Sequence, residues 1–174
     1  YTAARVLTPL NDNQRVELGR DLPRDVVKTR SQAGQTLSYV DGAYVIRRLN
    51  EVFGHDGWTF DTGALTIIPG DRPVVHIPGT LRAAGVSRSD VGVGLAAKNS
   101  GDAMETAIKA ACTDALKRCA RTFGANLGLA LYDKEQLDVG YSFACQELVS
   151  RYDAAQTDVD LAAARVAAKA AWPS

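Results

Sequence analysis

Three cations stand close together late in the chain. Lys117, Arg118 and Arg121 follow Asp114 at i+3, i+4 and i+7, a spacing that puts all four on one side of a helix. Cations grouped in this way can hold successive phosphates of a nucleic-acid strand, each displacing a counterion from the backbone. The same grouping also suits a solvated helix face, and the pattern alone leaves both readings open. Arg47 and Arg48 form a second adjacent pair that can add to such a groove. Around that pair lie Tyr39, Tyr44, His55 and Trp58, and an aromatic ring can stack on any unpaired base. Trp58 and Tyr39 are read as core residues; Tyr44 and His55 are read as facing solvent.

Other chemistry has little support. Gly92-Val93-Gly94-Leu95-Ala96-Ala97 has the G-x-G-x-x-A form of a dinucleotide turn, but no G-K-[ST] follows and the strands before it do not open a βαβ unit. Those glycines are expected to let the strand bend or backbones approach closely. The cysteines, Cys112, Cys119 and Cys145, include no C-x-x-C pair and lie far from His55 and His76. No zinc site is expected, and free thiols in a reducing compartment are. Neither histidine has a catalytic neighbourhood, and Asp133 and Glu135 read as structural acids in a turn. We expect no enzyme, no metal and no cofactor.

The elements that must carry the cations can be traced from caps and periodicity. Asn11-Asp12-Asn13 precedes a short helix ending near Gly19. Residues 26–30 and 36–40 read as two strands about a turn at 31–34. Asp41 is placed to cap a helix over 42–53, with Val45, Ile46, Leu49, Val52 and Phe53 on its buried face and Gly54 at its end. Three strands follow, over 58–68, 74–81 and 90–97, in an antiparallel meander. Pro78 has no N–H for a ladder, so an edge or a bulge is expected there. A long helix over 100–124 carries the three cations, with Asp102 and Glu105 spaced as a capping box and Gly124 as C-terminal cap. Its core side is expected to hold Met104, Ile108, Ala111, Cys112, Ala115, Leu116, Cys119 and Phe123. Beyond Tyr132 the chain turns Ala-rich, with helices expected over 142–155 and 158–171, the second with Thr157 and Asp160 as a capping box.

Composition sets the outer limits. The 174 residues are 46% hydrophobic and 23% charged, enough apolar content for a core and too much for a disordered chain. No apolar run approaches the ~18 residues of a membrane span, and no signal-peptide pattern is present, so a soluble, cytosolic chain is expected. The 20 basic and 20 acidic residues cancel, which excludes a globally basic nucleic-acid binder and leaves a local basic site open. Residues 1–50 carry net +3 and residues 135–174 net −3, so a mildly basic body and an acidic arm are expected. The first residue is Tyr1, which leads us to expect that an N-terminal piece is missing.

Several blocks together resemble the Rad52 family of single-strand annealing proteins. They are Leu37-Ser38-Tyr39-Val40-Asp41-Gly42, then Asn50-Glu51-Val52-Phe53-Gly54-His55-Asp56-Gly57-Trp58, then Asp90-Val91-Gly92-Val93-Gly94. Thr113-Asp114-Ala115-Leu116-Lys117-Arg118-Cys119-Ala120-Arg121-Thr122-Phe123-Gly124, Asn126-Leu127-Gly128 and Tyr132-Asp133-Lys134-Glu135 continue the order. The resemblance covers about residues 22–137 and implies an α+β fold, a β-β-β-α core whose curved antiparallel sheet packs on the long helix. It implies a core domain over 22–137; an N-terminal segment over 1–21 precedes it, and an Ala-rich helical arm over 138–174, which matches nothing in the family, follows it.

The resemblance also implies function. Family members form rings, wind single-stranded DNA in an outer basic groove, anneal complementary strands in recombination and double-strand break repair, and in some cases help load a RecA-type recombinase. Lys117, Arg118 and Arg121 take the places of the inner-groove phosphate contacts, with Tyr44, Arg47, Arg48 and His55 assigned beside them. Eukaryotic members carry a DNA-contacting arginine at the position of Tyr44; here a ring can stack or hydrogen-bond, and Arg47 or Arg48 can supply the charge. Arg72 and Lys98 roughly match an outer DNA site, in a loop about two residues shorter than in the eukaryotic proteins. The implied partners are single-stranded DNA, further copies of the chain in a ring, and a recombinase or single-strand-binding protein, with no membrane. A bacterial or phage origin and a place at the nucleoid are expected from the architecture. The alternative is an oligomeric scaffold that recruits repair proteins through its arm.

Overall fold

A computed structural model describes residues 9–32, 34–133 and 138–140, with single positions at 151, 163 and 166. Apart from those single positions, the expected arm helices lie outside the described residues, as does Cys145.

The first helix, α1 (Asp12–Gly19), starts at Asn11, whose side chain accepts from the Gln14 N–H at 2.8 Å while the Gln14 side chain accepts from the Asn11 N–H at 3.0 Å. Two orphan N–H groups are thereby satisfied, so even this short, weakly amphipathic segment holds its helix. Strand β1 (Leu22–Pro23) pairs in parallel with β8 (Val139–Gly140), which ties the end of the core to its beginning. Strands β2 (Lys28–Gln32) and β3 (Gln35–Tyr39) form a hairpin turned by Gly34 at φ 78°. Helix α2 (Gly42–Phe53) follows and ends at Gly54, as expected. Asp41 occupies the N-cap position, but its carboxylate ion-pairs with Lys28 across the hairpin base and makes no cap hydrogen bond.

The expected meander forms with two revisions, the second being that its last strand runs over 86–95 and not 90–97. The strand read over 58–68 is two, β4 (Trp58–Thr62) and β5 (Thr66–Ile68), which lie end to end along the same side of β6 (Val74–Ala83). Strand β7 (Val86–Leu95) pairs along the other side. Pro78 therefore sits in the central strand. Its carbonyl accepts from the Gly63 N–H at 2.8 Å, so its missing N–H faces that same side, where the pairing is interrupted between Thr62 and Thr66.

Helix α3 (Gly101–Arg121) crosses one face of this sheet. Ala107, Ala111, Ala115 and Cys119 are fully buried there. A Cβ on Gly92 would collide with the Ala111 carbonyl oxygen and the Ala115 backbone, and one on Gly94 with the Ala107 carbonyl. The two glycines are thus the reason strand and helix backbones can touch, which is the close-approach role expected of them. Three helix details differ from expectation. Ser100 is the N-cap and its hydroxyl, buried, has no partner among the described residues, so Asp102 and Glu105 form no capping box. Gly124 is not left-handed (φ 172°); the chain leaves α3 through Thr122, and Gly124 instead lets the backbone pass close to the Leu18 carbonyl. Met104, Ile108 and Cys112 are only half-buried, because the small-residue row takes the sheet contact.

The main core joins α1, α2, the α3 C-terminal half and the 3-10 turns at 125–127 and 129–132. Leu22, Val45, Leu49, Leu81 and Leu127 are at most 1% exposed within it. A smaller cluster of Val75, Ile77, Ala96, Ala107 and Ala111 lies under the first half of α3.

Candidate nucleic-acid interface

Burying the Ala/Cys side of α3 leaves Lys117, Arg118 and Arg121 pointing away from the sheet centre, toward the hairpin and the 3-10 turn at 129–132. These elements enclose a groove of about 420 Å³ with all three cations on its walls. Arg30 and Tyr39 from the hairpin and Tyr132 from the 3-10 turn line it as well.

Each cation is held. Lys117 Nζ donates to the Val40 carbonyl at 3.4 Å and lies 5.7 Å above the Tyr39 ring. Neither partner carries a formal charge, so the ammonium keeps its own. Arg30 reaches the same ring, also at 5.7 Å. Arg121 lies over the Tyr132 ring at 4.1 Å, the closest of the described cation–ring contacts. Arg118 Nε and Arg121 Nη2 both meet Asp90 of β7, at 3.0 and 3.4 Å. Burial opposes a charge on Asp90, but the Val91 N–H and the two arginines outweigh it and hold the carboxyl below its ordinary range.

Two expectations change here. Asp114, the acid on the cations' own helix face, is the sequence's natural counter-ion for them, but its Oδ2 accepts from the Val93 N–H at 3.1 Å, covering a donor of β7 that does not face β6. The direct counter-ion is Asp90. Its distance of 28 residues from Arg118 hid it; the glycines at alternate positions 92 and 94 were the signal that this face of β7 lies on the helix. Arg30 and Tyr39 were also absent from the expected groove. Tyr39 was read as core, yet its ring is half-exposed on the groove wall.

The residues assigned on α2 do not join the groove. Tyr44 is 5% exposed and its hydroxyl donates to the Asn126 carbonyl at 3.0 Å, so the solvent-facing reading is corrected. With α2 spaced to bury Tyr44, Val45, Leu49 and Val52 together, the ring falls inside the stripe. Burial pushes its phenol up to about 12. Arg48 is drawn inward between Glu17 at 3.2 Å and Glu51 at 2.5 Å, bracing α1 against α2. Arg47 and His55 are exposed and flank a separate shallow depression on α2.

Arg72 and Lys98, assigned to an outer site, are exposed and close in the fold. The Ala96 N–H donates to the Pro73 carbonyl at 2.9 Å, extending the β6–β7 ladder so that the segments carrying Arg72 and Lys98 leave the same end of the sheet side by side.

Comparison with known proteins adds the lineage. Residues 12–147 match the family described as Rad52/22 family double-strand break repair protein. The DNA repair and recombination protein RAD52 of Kluyveromyces lactis is 34% identical over 136 residues, covering 72% of this chain and 31% of that protein. The single-stranded DNA-binding protein DdrA of Deinococcus deserti is 38% identical over 128 residues, covering 74% of this chain and 57% of that protein. The protein rad22 of Schizosaccharomyces pombe is 31% identical over 157 residues, covering 79% and 34%. The chain spans about a third of the length of the yeast relatives it matches. With the family match running through both the hairpin and the cation-bearing helix, the chain belongs to the Rad52/22 family of double-strand break repair proteins.

Proposed function

We propose that this chain binds single-stranded DNA along the α3–hairpin groove and anneals complementary strands in recombination and double-strand break repair, as a ring of identical copies. The observation that carries the reading is the convergence of Lys117, Arg118, Arg121 and Arg30 on one open groove, beside exposed aromatic rings. Phosphate contacts of this kind are independent of sequence, which an annealer requires, and they leave base edges free to search for a partner. A ring repeats a modest local charge along one strand, so a chain of zero net charge still binds a polyanion strongly. Arg72 and Lys98, side by side at the sheet end, are the proposed second site for an incoming strand. A RecA-type recombinase or single-strand-binding protein is the proposed protein partner. The chemistry needs no catalytic group, since annealing makes and breaks no covalent bond.

The test is annealing of two complementary labelled oligonucleotides across a salt series, with wild type beside Lys117→Ala/Arg121→Ala. Salt-sensitive annealing by the wild type, abolished in the double variant with folding and oligomer size kept, supports the reading. A wild type that binds no single strand refutes it.

A further inference from the structure

Positions 90, 92 and 94 of β7 share the face that lies on α3. At 92 and 94 glycine lets the strand backbone rest against the helix backbone near Ala111 and Ala107. Asp90 is the next position along that row and the one that bears a side chain. It meets α3 one step further on, at Arg118 and Arg121. The Val91 N–H donates to its Oδ1 at 2.7 Å and fixes the carboxylate; Oδ1 then accepts from Arg118 Nε and Oδ2 from Arg121 Nη2. Both arginines line the groove, whereas Asp90 stands behind them. Arg118 is engaged through Nε, so its terminal nitrogens extend past the carboxylate. Arg121 is caught between Asp90 and the Tyr132 ring, and its Nη1 is buried with no hydrogen-bond partner among the described residues. An orphaned buried donor is costly, so the Arg121 guanidinium keeps an unused hydrogen-bonding valence beside the groove.

We propose that Asp90 is a positioning residue of the strand-binding groove: from β7 it aims the Arg118 and Arg121 guanidinia at one phosphate of the DNA backbone. The proposal rests on the groove being the strand's site. It has a consequence of unexpected sign. By Coulomb's law alone, removing a negative charge beside a phosphate-binding groove tightens binding. Positioning requires the opposite: without Asp90 the two side chains regain rotamer freedom that each bound phosphate must then remove.

The test compares full-length wild type, Asp90→Asn, Arg118→Ala/Arg121→Ala and the triple variant for affinity to labelled oligothymidylate at fixed salt, with melting temperature and oligomer size as controls. Asp90→Asn is expected to weaken binding about tenfold in the wild-type background and to have no weakening effect once both arginines are alanine. Equal or tighter binding by Asp90→Asn overturns the proposal, as does the same loss in the arginine-free background. If Asp90→Asn does not fold, Asp90→Glu takes its place: it keeps the charge and shifts the carboxylate by one methylene, so unchanged affinity overturns the proposal and weaker binding supports it. A readout free of DNA keeps this separate from the annealing reading. Phenylglyoxal should modify Arg118 and Arg121 several-fold faster in Asp90→Asn, followed by mass spectrometry, and equal rates overturn the positioning role even if the wild type binds no DNA.

Discussion

Helices α2 and α3 each carry two adjacent cations, Arg47-Arg48 and Lys117-Arg118, and the fold treats them oppositely. On α2, the carboxylates of Glu17 and Glu51 take Arg48 from two sides, and its side chain is left 11% exposed. On α3, the single carboxylate of Asp90 serves both Arg118 and Arg121, which remain 35% and 18% exposed on the groove wall. Two acids closing on the half-buried Arg48, with Arg20 and Arg47 at their outer sides, make a brace; one acid to two guanidinia, with Lys117 beside them, leaves a positive surface. Cation spacing is the same kind of signal in both helices. What separates them is how the carboxylates are shared: α2 turns its own Glu51 onto Arg48 while α1 adds Glu17, whereas Arg118 and Arg121 divide one carboxylate, Asp90 of β7.

The comparison depends first on α3 being seated, and there the largest effect is expected. Gly92→Ala puts a Cβ into the Ala111 carbonyl and the Ala115 backbone, so the sheet and helix must part. We expect a loss of about 3 kcal/mol or more, read as a lower urea midpoint, with the groove lost alongside. Arg48→Ala comes next. It leaves Glu17 and Glu51 without their shared partner, at about 2 kcal/mol, and the folded fraction should bind single strands as the wild type does. Loss of DNA binding without loss of stability would break the contrast between the helices.

Tyr44→Phe is smaller. It removes the hydroxyl bond to the Asn126 carbonyl, expected at about 1 kcal/mol near neutral pH. Tyr44 also has a raised folded pKa, near 12. The unfolded chain therefore releases this proton first as pH rises, and native stability falls from about pH 10 up through the folded value. The phenylalanine variant lacks that term, so the gap between the two proteins should close above about pH 10, as chemical denaturation across pH will show. Arg72→Ala/Lys98→Ala should have the least effect on first-strand binding, about twofold or less, and slow the meeting with a second strand, measured as annealing of preloaded complexes.

Much of this was legible beforehand. The bounds of α2 and the presence and order of the hairpin, the meander and the long helix follow from periodicity, turn residues and glycine, since each is a local signal; the hairpin strands, expected at 26–30 and 36–40, lie at 28–32 and 35–39 because cross-strand pairing sets their ends. The broken strand at 58–68 was not, because Gly63-Ala64-Leu65 interrupts pairing for the sake of Pro78, a residue on another strand. Gly124 looked like a helix cap and is instead a close-packing glycine against Leu18. The same divide runs through the site. Lys117, Arg118 and Arg121 could be named from one helix face, whereas Asp90, Arg30 and Tyr39 enter from strands far away in sequence. Tyr44 was misread for a related reason: one turn of α2 fits either side of the apolar stripe, and only packing against the Asn126 turn decides which.

The most direct measurement is the salt dependence of oligothymidylate binding by wild type, Arg121→Ala and Arg47→Ala at equal oligomer size. If the groove of α3 carries the phosphate contacts, Arg121→Ala should lower the slope of log affinity against log salt by about 0.7 per contact removed, and Arg47→Ala should leave it unchanged. Equal slopes for wild type and Arg121→Ala, or a drop confined to Arg47→Ala, would contradict the account.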